Sequence, residues 1–183
     1  MTFLVDSNKQ YSYDDLLQVL QSNHYCPLLR TPDLFLFFAN MVTALIADKP
    51  LILLDSDINP AEIPDIDERS INHLVEISPK VFNNIQDVIA AIQSSQSKIT
   101  IFTSGTTGQP KKVVHTIGTL ARAVRKGEKY VGQVWAFAYN PTHMAGLQVF
   151  FQVLYNQGTL VNMFNYNRTE IYHLLDEWKI THI

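Results

Sequence analysis

Short apolar runs alternate with stretches of helical spacing along the second half of the chain, and few architectures accept that rhythm. Lys98-Ile99-Thr100-Ile101-Phe102 reads as a strand. Residues 116–129 read as a helix, with Ile117, Leu120, Ala121 and Val124 on one side, and 133–139 as a second strand. Asn140-Pro141-Thr142 is a turn with Thr142 as candidate N-cap, followed by an apolar helix over 144–155 that Gly158 stops. Residues 159–163 are a strand, and 169–178 an amphipathic helix with Ile171, Leu174, Leu175 and Trp178 on one face. Residues 179–183 begin another strand. Strands that alternate with helices are joined by crossovers, which makes parallel pairing the natural outcome. The expected class is α/β, a layered, largely parallel sheet flanked by helices.

The first half fits that class less regularly. Ser12 is a candidate N-cap for a helix opening at Tyr13-Asp14-Asp15. Thr31-Pro32-Asp33 introduces an apolar helix over 34–47, and Lys49-Pro50 ends it because proline cannot continue a helix. Leu51-Ile52-Leu53-Leu54 reads as a buried strand, 55–70 as an irregular Asp- and Pro-rich connection, and 81–94 as a helix. The 183 residues are expected to form one domain-sized α/β body, with a first portion over 1–95 and a second over 96–183.

Composition removes several classes. With 46% hydrophobic and 17% charged residues the chain is globular rather than disordered. A net charge of -3 argues against a nucleic-acid partner, and the basic cluster 122–129, which contains Glu128, reads as a solvated helix face. Cys26 is the only cysteine, so there is no internal disulfide framework and no cysteine-based metal site. That fits a reducing compartment, and the expected location is cytoplasmic. The start lacks a basic n-region and an apolar h-region. The stretch 34–47, interrupted by Asn40 and Thr43, is too short for a membrane span. His24, His73, His173 and His182 show no metal-ligand spacing. Asn167-Arg168-Thr169 is formally a glycosylation sequon and carries no weight without a secretion signal.

The chemistry concentrates in Thr103-Ser104-Gly105-Thr106-Thr107-Gly108-Gln109-Pro110-Lys111-Lys112, directly after the strand that ends at Phe102. Two glycines permit unusual dihedrals, so backbone N–H groups and hydroxyls can turn toward one anion. The lysines add fixed positive charge, and phosphate is the anion this suits best. The spacing is not the Walker pattern, which needs Gly-x-x-x-x-Gly-Lys-Ser/Thr. By composition alone the segment equally suits a ligand-free turn; the order of its residues separates the two.

Thr-Ser-Gly-Thr-Thr-Gly-Gln-Pro-Lys closely resembles the signature loop of the adenylate-forming (AMP-binding) enzymes: acyl- and aryl-CoA synthetases, adenylation domains of nonribosomal peptide synthetases, and firefly luciferase. Asn140-Pro141-Thr142-His143-Met144-Ala145-Gly146-Leu147 is similar to the family's second motif, and the resemblance covers most of 34–183. It implies a two-step reaction. A carboxylic acid is activated by ATP as acyl-AMP with release of pyrophosphate, then passed to a thiol of coenzyme A or of an acyl carrier protein. It further implies Mg2+, with Thr103, Ser104, Gly105, Thr106, Thr107, Gly108 and Lys111 around the β- and γ-phosphates. His143 would be the catalytic-site residue beside the carboxylate, with Tyr139, Met144, Ala145 and Gly146 lining the acid pocket. Departures are Lys112 where the family has glycine, and His115 two positions early for the family's Thr-His, so no role is assigned to His115.

The family's downstream segments are not found in this sequence: an aromatic-Gly-x-Thr-Glu run, a Thr-Gly-Asp run and a lysine in a mobile C-terminal domain. Glu128 and Glu170 have other neighbours. The chain therefore resembles the N-terminal part of a compact acyl- or aryl-CoA ligase, cut within a strand. As an isolated piece it is expected to lack full activity, with the main magnesium ligand downstream of Ile183. The alternatives are a naturally truncated, noncatalytic nucleotide-binding or interaction module, for which 179–183 is a natural edge strand, and a ligase that loads a carrier protein.

Overall fold

The computed structural model describes residues 1–64, 66–103 and 110–183. In chain order its elements are β1 (Thr2–Asp6), β2 (Lys9–Ser12), α1 (Tyr13–Val19), β3 (His24–Tyr25), β4 (Leu28–Leu29), α2 (Leu34–Ile46), β5 (Leu51–Leu53), β6 (Val75–Glu76), α3 (Ile85–Gln93), β7 (Ile99–Thr103), β8 (Lys111–His115), α4 (Ile117–Leu120), β9 (Val134–Phe137), α5 (Met144–Tyr155), β10 (Thr159–Asn162) and α6 (Arg168–Glu177). Two compact units result, Met1–Leu16 with Leu120–Ile183, and Leu17–Thr119. The sequence-based division ran at 95/96; in the structure β7 and β8 cluster with the elements before them.

In the discontinuous unit the sheet order is β2-β1-β10-β9. β1, β10 and β9 pair in parallel, and β2 folds back antiparallel on β1. Val5, Ala136, Val161 and Met163 form one apolar face. Ile171, Leu174, Leu175 and Trp178, the stripe expected from helical spacing, pack against it. α6 begins with a capping box: Asn167 Oδ1 accepts from the Thr169 and Glu170 amides, and Glu170 accepts from the Asn167 amide. The formal sequon is thus a helix cap. On the other sheet face, β-alternation aims Trp135 and Phe137 at α5, where the Phe150 ring lies 6.2 Å from that of Phe3. Residues 181–182 lie alongside β9, with the Ala136 amide donating to the His182 carbonyl at 2.8 Å.

In the second unit β4, β5 and β7 are parallel and β8 is antiparallel on β7; β3 and β6 form a separate antiparallel pair. α2 is buried along nearly its whole length. Its two polar interruptions have partners. Asn40 exchanges two hydrogen bonds with the Cys26 backbone (2.7 and 2.9 Å), and the Thr43 hydroxyl donates to the Ala39 carbonyl (2.9 Å). Asp33 caps α2 by accepting from the Leu36 amide at 2.9 Å.

Two expectations change. The helix over 116–129 shrinks to α4, and beyond it the basic run is helical only in a single 3-10 turn at Glu128–Tyr130. The Arg125 amide donates to Gln152 Oε1 (2.8 Å), while Gln152 Nε2 and Asn156 Nδ2 donate to the Arg125 carbonyl (3.1 and 2.9 Å). A backbone unit bonded to α5 side chains is withdrawn from a helical ladder. The N-cap of α5 is His143 rather than Thr142. Thr142 instead closes the preceding turn, its amide and hydroxyl both donating to Asn140 Oδ1 (2.9 and 2.8 Å). No helix among the described residues is long and apolar enough to cross a membrane.

Candidate functional site

β7 is the interior strand on which the glycine segment hangs. Ile99, Thr100, Ile101 and Phe102 are buried, and Thr103 is the first exposed residue. Phe102 is fixed in an apolar cluster with Leu28, Leu54 and Ile63. β8 runs back along β7 with Thr103 opposite Lys111, Phe102 opposite Lys112 and Ile99 opposite His115. Directly opposed residues of an antiparallel pair project on the same face. Thr103 and Lys111 therefore face together at one end of the hairpin, both exposed, with Lys112 exposed beside them. Ser104, Gly105, Thr106, Thr107 and Gly108 lie outside the described residues. His115 is at the far end of β8, four residues or about 13 Å from Lys111 at strand rise. Its Nδ1 is 3.4 Å from the Thr119 hydroxyl.

The second motif lies in the other unit, at the start of α5. His143 is exposed at the N-cap, with backbone φ -96 and ψ 153 and no side-chain bond to the helix amides. Its amide donates to the Asn140 carbonyl (3.1 Å), and its carbonyl accepts from Leu147 (3.0 Å). Gly146 explains how the turn closes so tightly: a Cβ there would stand 2.5 Å from the Asn140 carbonyl oxygen.

Beside this turn a cleft of about 230 Å³ opens between β9 and α5. Of the residues expected around an acid pocket, Tyr139 and Ala145 line it; His143, Met144 and Gly146 do not. Trp135, Gln148, Val149, Gln152 and Ala123 complete the wall, which carries no charged side chain. The α5 members could have been read from sequence, because 145, 148, 149 and 152 recur at helical spacing. Trp135 and Ala123 reach the cleft only through the fold. Further along α5, the Tyr155 hydroxyl is buried with no hydrogen-bond partner among the described residues, and burial pushes that phenol's pKa up. Among the described residues no group of three His, Cys, Asp or Glu side chains converges as a metal site.

A family model described as AMP-binding enzyme matches residues 41–183. No curated protein sequence matches the chain. Among solved structures, the chain is similar to the inhibitor-bound N-terminal domain of FACL13 from Mycobacterium tuberculosis, at 14% identity and TM-score 0.69, covering 98% of this chain and 57% of that one. It is also similar to O-succinylbenzoate coenzyme A synthetase (MenE) from Bacillus subtilis in complex with AMP, at 16% identity and TM-score 0.61, covering 98% and 56%. The same enzyme in complex with ATP and magnesium ion gives 16% identity and TM-score 0.59, covering 98% and 45%. At these identities the likeness establishes the fold. The chain spans about half the length of the structures it matches.

Proposed function

Because the chain belongs to the AMP-binding enzyme family, we propose that it forms the phosphate-gripping and acid-lining part of an ATP-dependent acid–thiol ligase. In the first step a carboxylate oxygen bonds to the α-phosphorus of ATP, the bond to the bridging oxygen breaks, and pyrophosphate leaves. In the second a thiol sulfur bonds to the acyl carbon, AMP departs with the former carboxylate oxygen, and the thiol proton passes to solvent. The thiol belongs to coenzyme A or to an acyl carrier protein.

The observation that carries this reading is the opposition of Thr103 and Lys111 at the loop end of a hairpin whose first strand is buried. An exposed hydroxyl and an ammonium are held there on anchored strands, flanking the residues proposed to wrap the β- and γ-phosphates: Ser104, Gly105, Thr106, Thr107 and Gly108. Each charge-assisted hydrogen bond is worth roughly 1.5–3 kcal/mol, so a few suffice to hold a polyphosphate and stabilise departing pyrophosphate. In this reading His143 borders the reacting carboxylate, and the cleft beside it takes the acid's organic group. Two aromatic rings, small aliphatic groups and amides favour an uncharged aryl or short acyl chain over a highly polar one. Magnesium would accompany the nucleotide's phosphates, and no step is assigned to it here. A single, buried Cys26 accords with a cytoplasmic setting.

The test is ATP–pyrophosphate exchange by the full-length polypeptide across a panel of aryl and acyl acids. Exchange dependent on one of these acids is the expected result. Absence of exchange with every acid, together with absence of ATP binding, refutes the proposal.

A further inference from the structure

Arg122, Arg125, Lys126 and Lys129 are exposed within one irregular run between α4 and β9. Among the described residues none of the four forms an ion pair. The run is nevertheless held in place. Gln152 and Asn156, both buried, bond the Arg125 amide and carbonyl. The Lys126 ammonium lies 4.8 Å over the Tyr155 ring, and that of Lys129 lies 5.0 Å over the Tyr130 ring. Lys129, and less strongly Arg125, hold the Tyr130 phenol below its ordinary pKa. Ala123, in the same run, lines the cleft with Tyr139 and Ala145. Four exposed cations against one exposed carboxylate, Glu128, therefore lie in a run that is bonded at Arg125 and adjoins the cleft at Ala123, on a chain whose net charge is -3.

We infer that residues 122–129 are the docking surface for an acidic carrier protein, which presents its thiol arm to the adjoining cleft. The inference rests on the reading of that cleft as the acid pocket. None of the four cations lines the clefts at β9–α5, α6, α2 or β4, whereas a small polyanion such as coenzyme A calls for a concave site with convergent donors. Cations spread along an exposed run match instead the distributed carboxylates of a protein surface, where complementary charge steers association and sets orientation. A nucleic acid fits less well. The chain is acidic as a whole, and the rings within reach of the run, Tyr130 and Tyr155, already lie under lysines rather than open for base stacking.

The test titrates three probes against the 183-residue chain: an acidic holo-acyl carrier protein, coenzyme A and a single-stranded oligonucleotide. The carrier protein is expected to bind, with Kd rising about tenfold or more in the combined Arg122→Glu, Arg125→Glu, Lys126→Glu, Lys129→Glu variant and several-fold with added salt. The paired neutral variant Arg122→Gln, Lys129→Gln keeps the result interpretable should the reversal disturb folding; it is expected to raise Kd about threefold. Lys9→Glu, in the β1–β2 hairpin, leaves carrier affinity unchanged. Failure of the carrier protein to bind, or carrier affinity indifferent to both basic-run variants, overturns the inference. So does coenzyme A or the oligonucleotide being the probe whose binding the reversal abolishes. ATP–pyrophosphate exchange by the full-length protein needs no thiol acceptor, so its absence defeats the ligase reading. Normal exchange with unaltered carrier affinity defeats only the docking surface.

Discussion

Replacing Gly146 by alanine sets two effects of known size against each other. Gly146 is in the first turn of α5, where alanine favours the helix by about 1 kcal/mol. Its new Cβ would stand 2.5 Å from the Asn140 carbonyl oxygen, 3.2 Å from the carbonyl carbon and 3.3 Å from Phe137 Cζ. The obstacle is backbone, pinned by the His143 amide (3.1 Å) and by two bonds from Thr142 to the Asn140 side chain. Restoring an ordinary contact requires a retreat of roughly 1 Å, and forcing a methyl into a packed site costs about 1–3 kcal/mol. Loosening the His143 bond adds about 1 kcal/mol. The clash wins, and net destabilisation of about 1–3 kcal/mol is expected, with displacement of the turn that sets His143. Both tryptophans, Trp135 and Trp178, belong to the unit that contains Gly146, so their fluorescence during urea unfolding reports on it. With a slope of about 2 kcal/mol/M, the midpoint should fall by about 0.5–1.5 M. Gly118→Ala in α4, where the nearest atom to a Cβ is Thr116 Oγ1 at 3.7 Å, should instead leave stability unchanged or raise it slightly by circular dichroism. A Gly146→Ala midpoint equal to or above the parent's refutes the close-approach argument.

Lys111→Ala should lower kcat/KM for ATP–pyrophosphate exchange in the full-length protein by about 10- to 100-fold, the value of one charge-assisted contact, without altering the unfolding midpoint; a change within about twofold removes Lys111 from the phosphate site. Asn156→Ala removes donors to the Arg125 and Gln152 carbonyls from a side chain that is 4% exposed. It should destabilise the tryptophan-reported transition by about 1–3 kcal/mol. Asp48 accepts hydrogen bonds from the Gln96 amide (2.8 Å) and the Ser95 hydroxyl (3.0 Å), which hold its pKa below the ordinary 3.8. Its contribution to stability is complete above the unfolded value and is lost as pH falls below 3.8 toward the folded value. Asp48→Asn, which tolerates the local φ of 54, should therefore show a shallower loss of stability in acid, measured as urea midpoints against pH.

The parts of this fold that were legible in the sequence are those whose causes are local. Asp33 and Pro50 bracket α2, and the spacing of Ile171, Leu174, Leu175 and Trp178 marks the buried side of α6. β8 escaped because Lys111-Lys112-Val113-Val114-His115 has little apolar alternation; it is a strand because β7 supplies the partner, and its lysines suit an edge. The expected helix over 116–129 failed for a similar reason. Its apolar spacing is present, but two amides from α5, about thirty positions later, bind the backbone at Arg125. No window confined to 116–129 contains that competition.

The same distinction runs through the candidate site. The phosphate segment is contiguous, so residue order alone pointed to a nucleotide, and the hairpin register adds that Thr103 and Lys111 face each other. The cleft is assembled from β9, α5 and the run after α4, so only its α5 stripe could be read in advance. The basic run shows how much such assembly changes meaning. As a helix, Arg122, Arg125, Lys126 and Lys129 would stand at i, i+3, i+4 and i+7 and share one solvated face, held by the helix's own backbone ladder. In the structure the backbone at Arg125 is bonded instead to Gln152 and Asn156, the four cations are exposed, and Ala123 of the same run enters the wall of the cleft. The same charge pattern thereby comes to adjoin the cleft, a placement that a binding measurement can test.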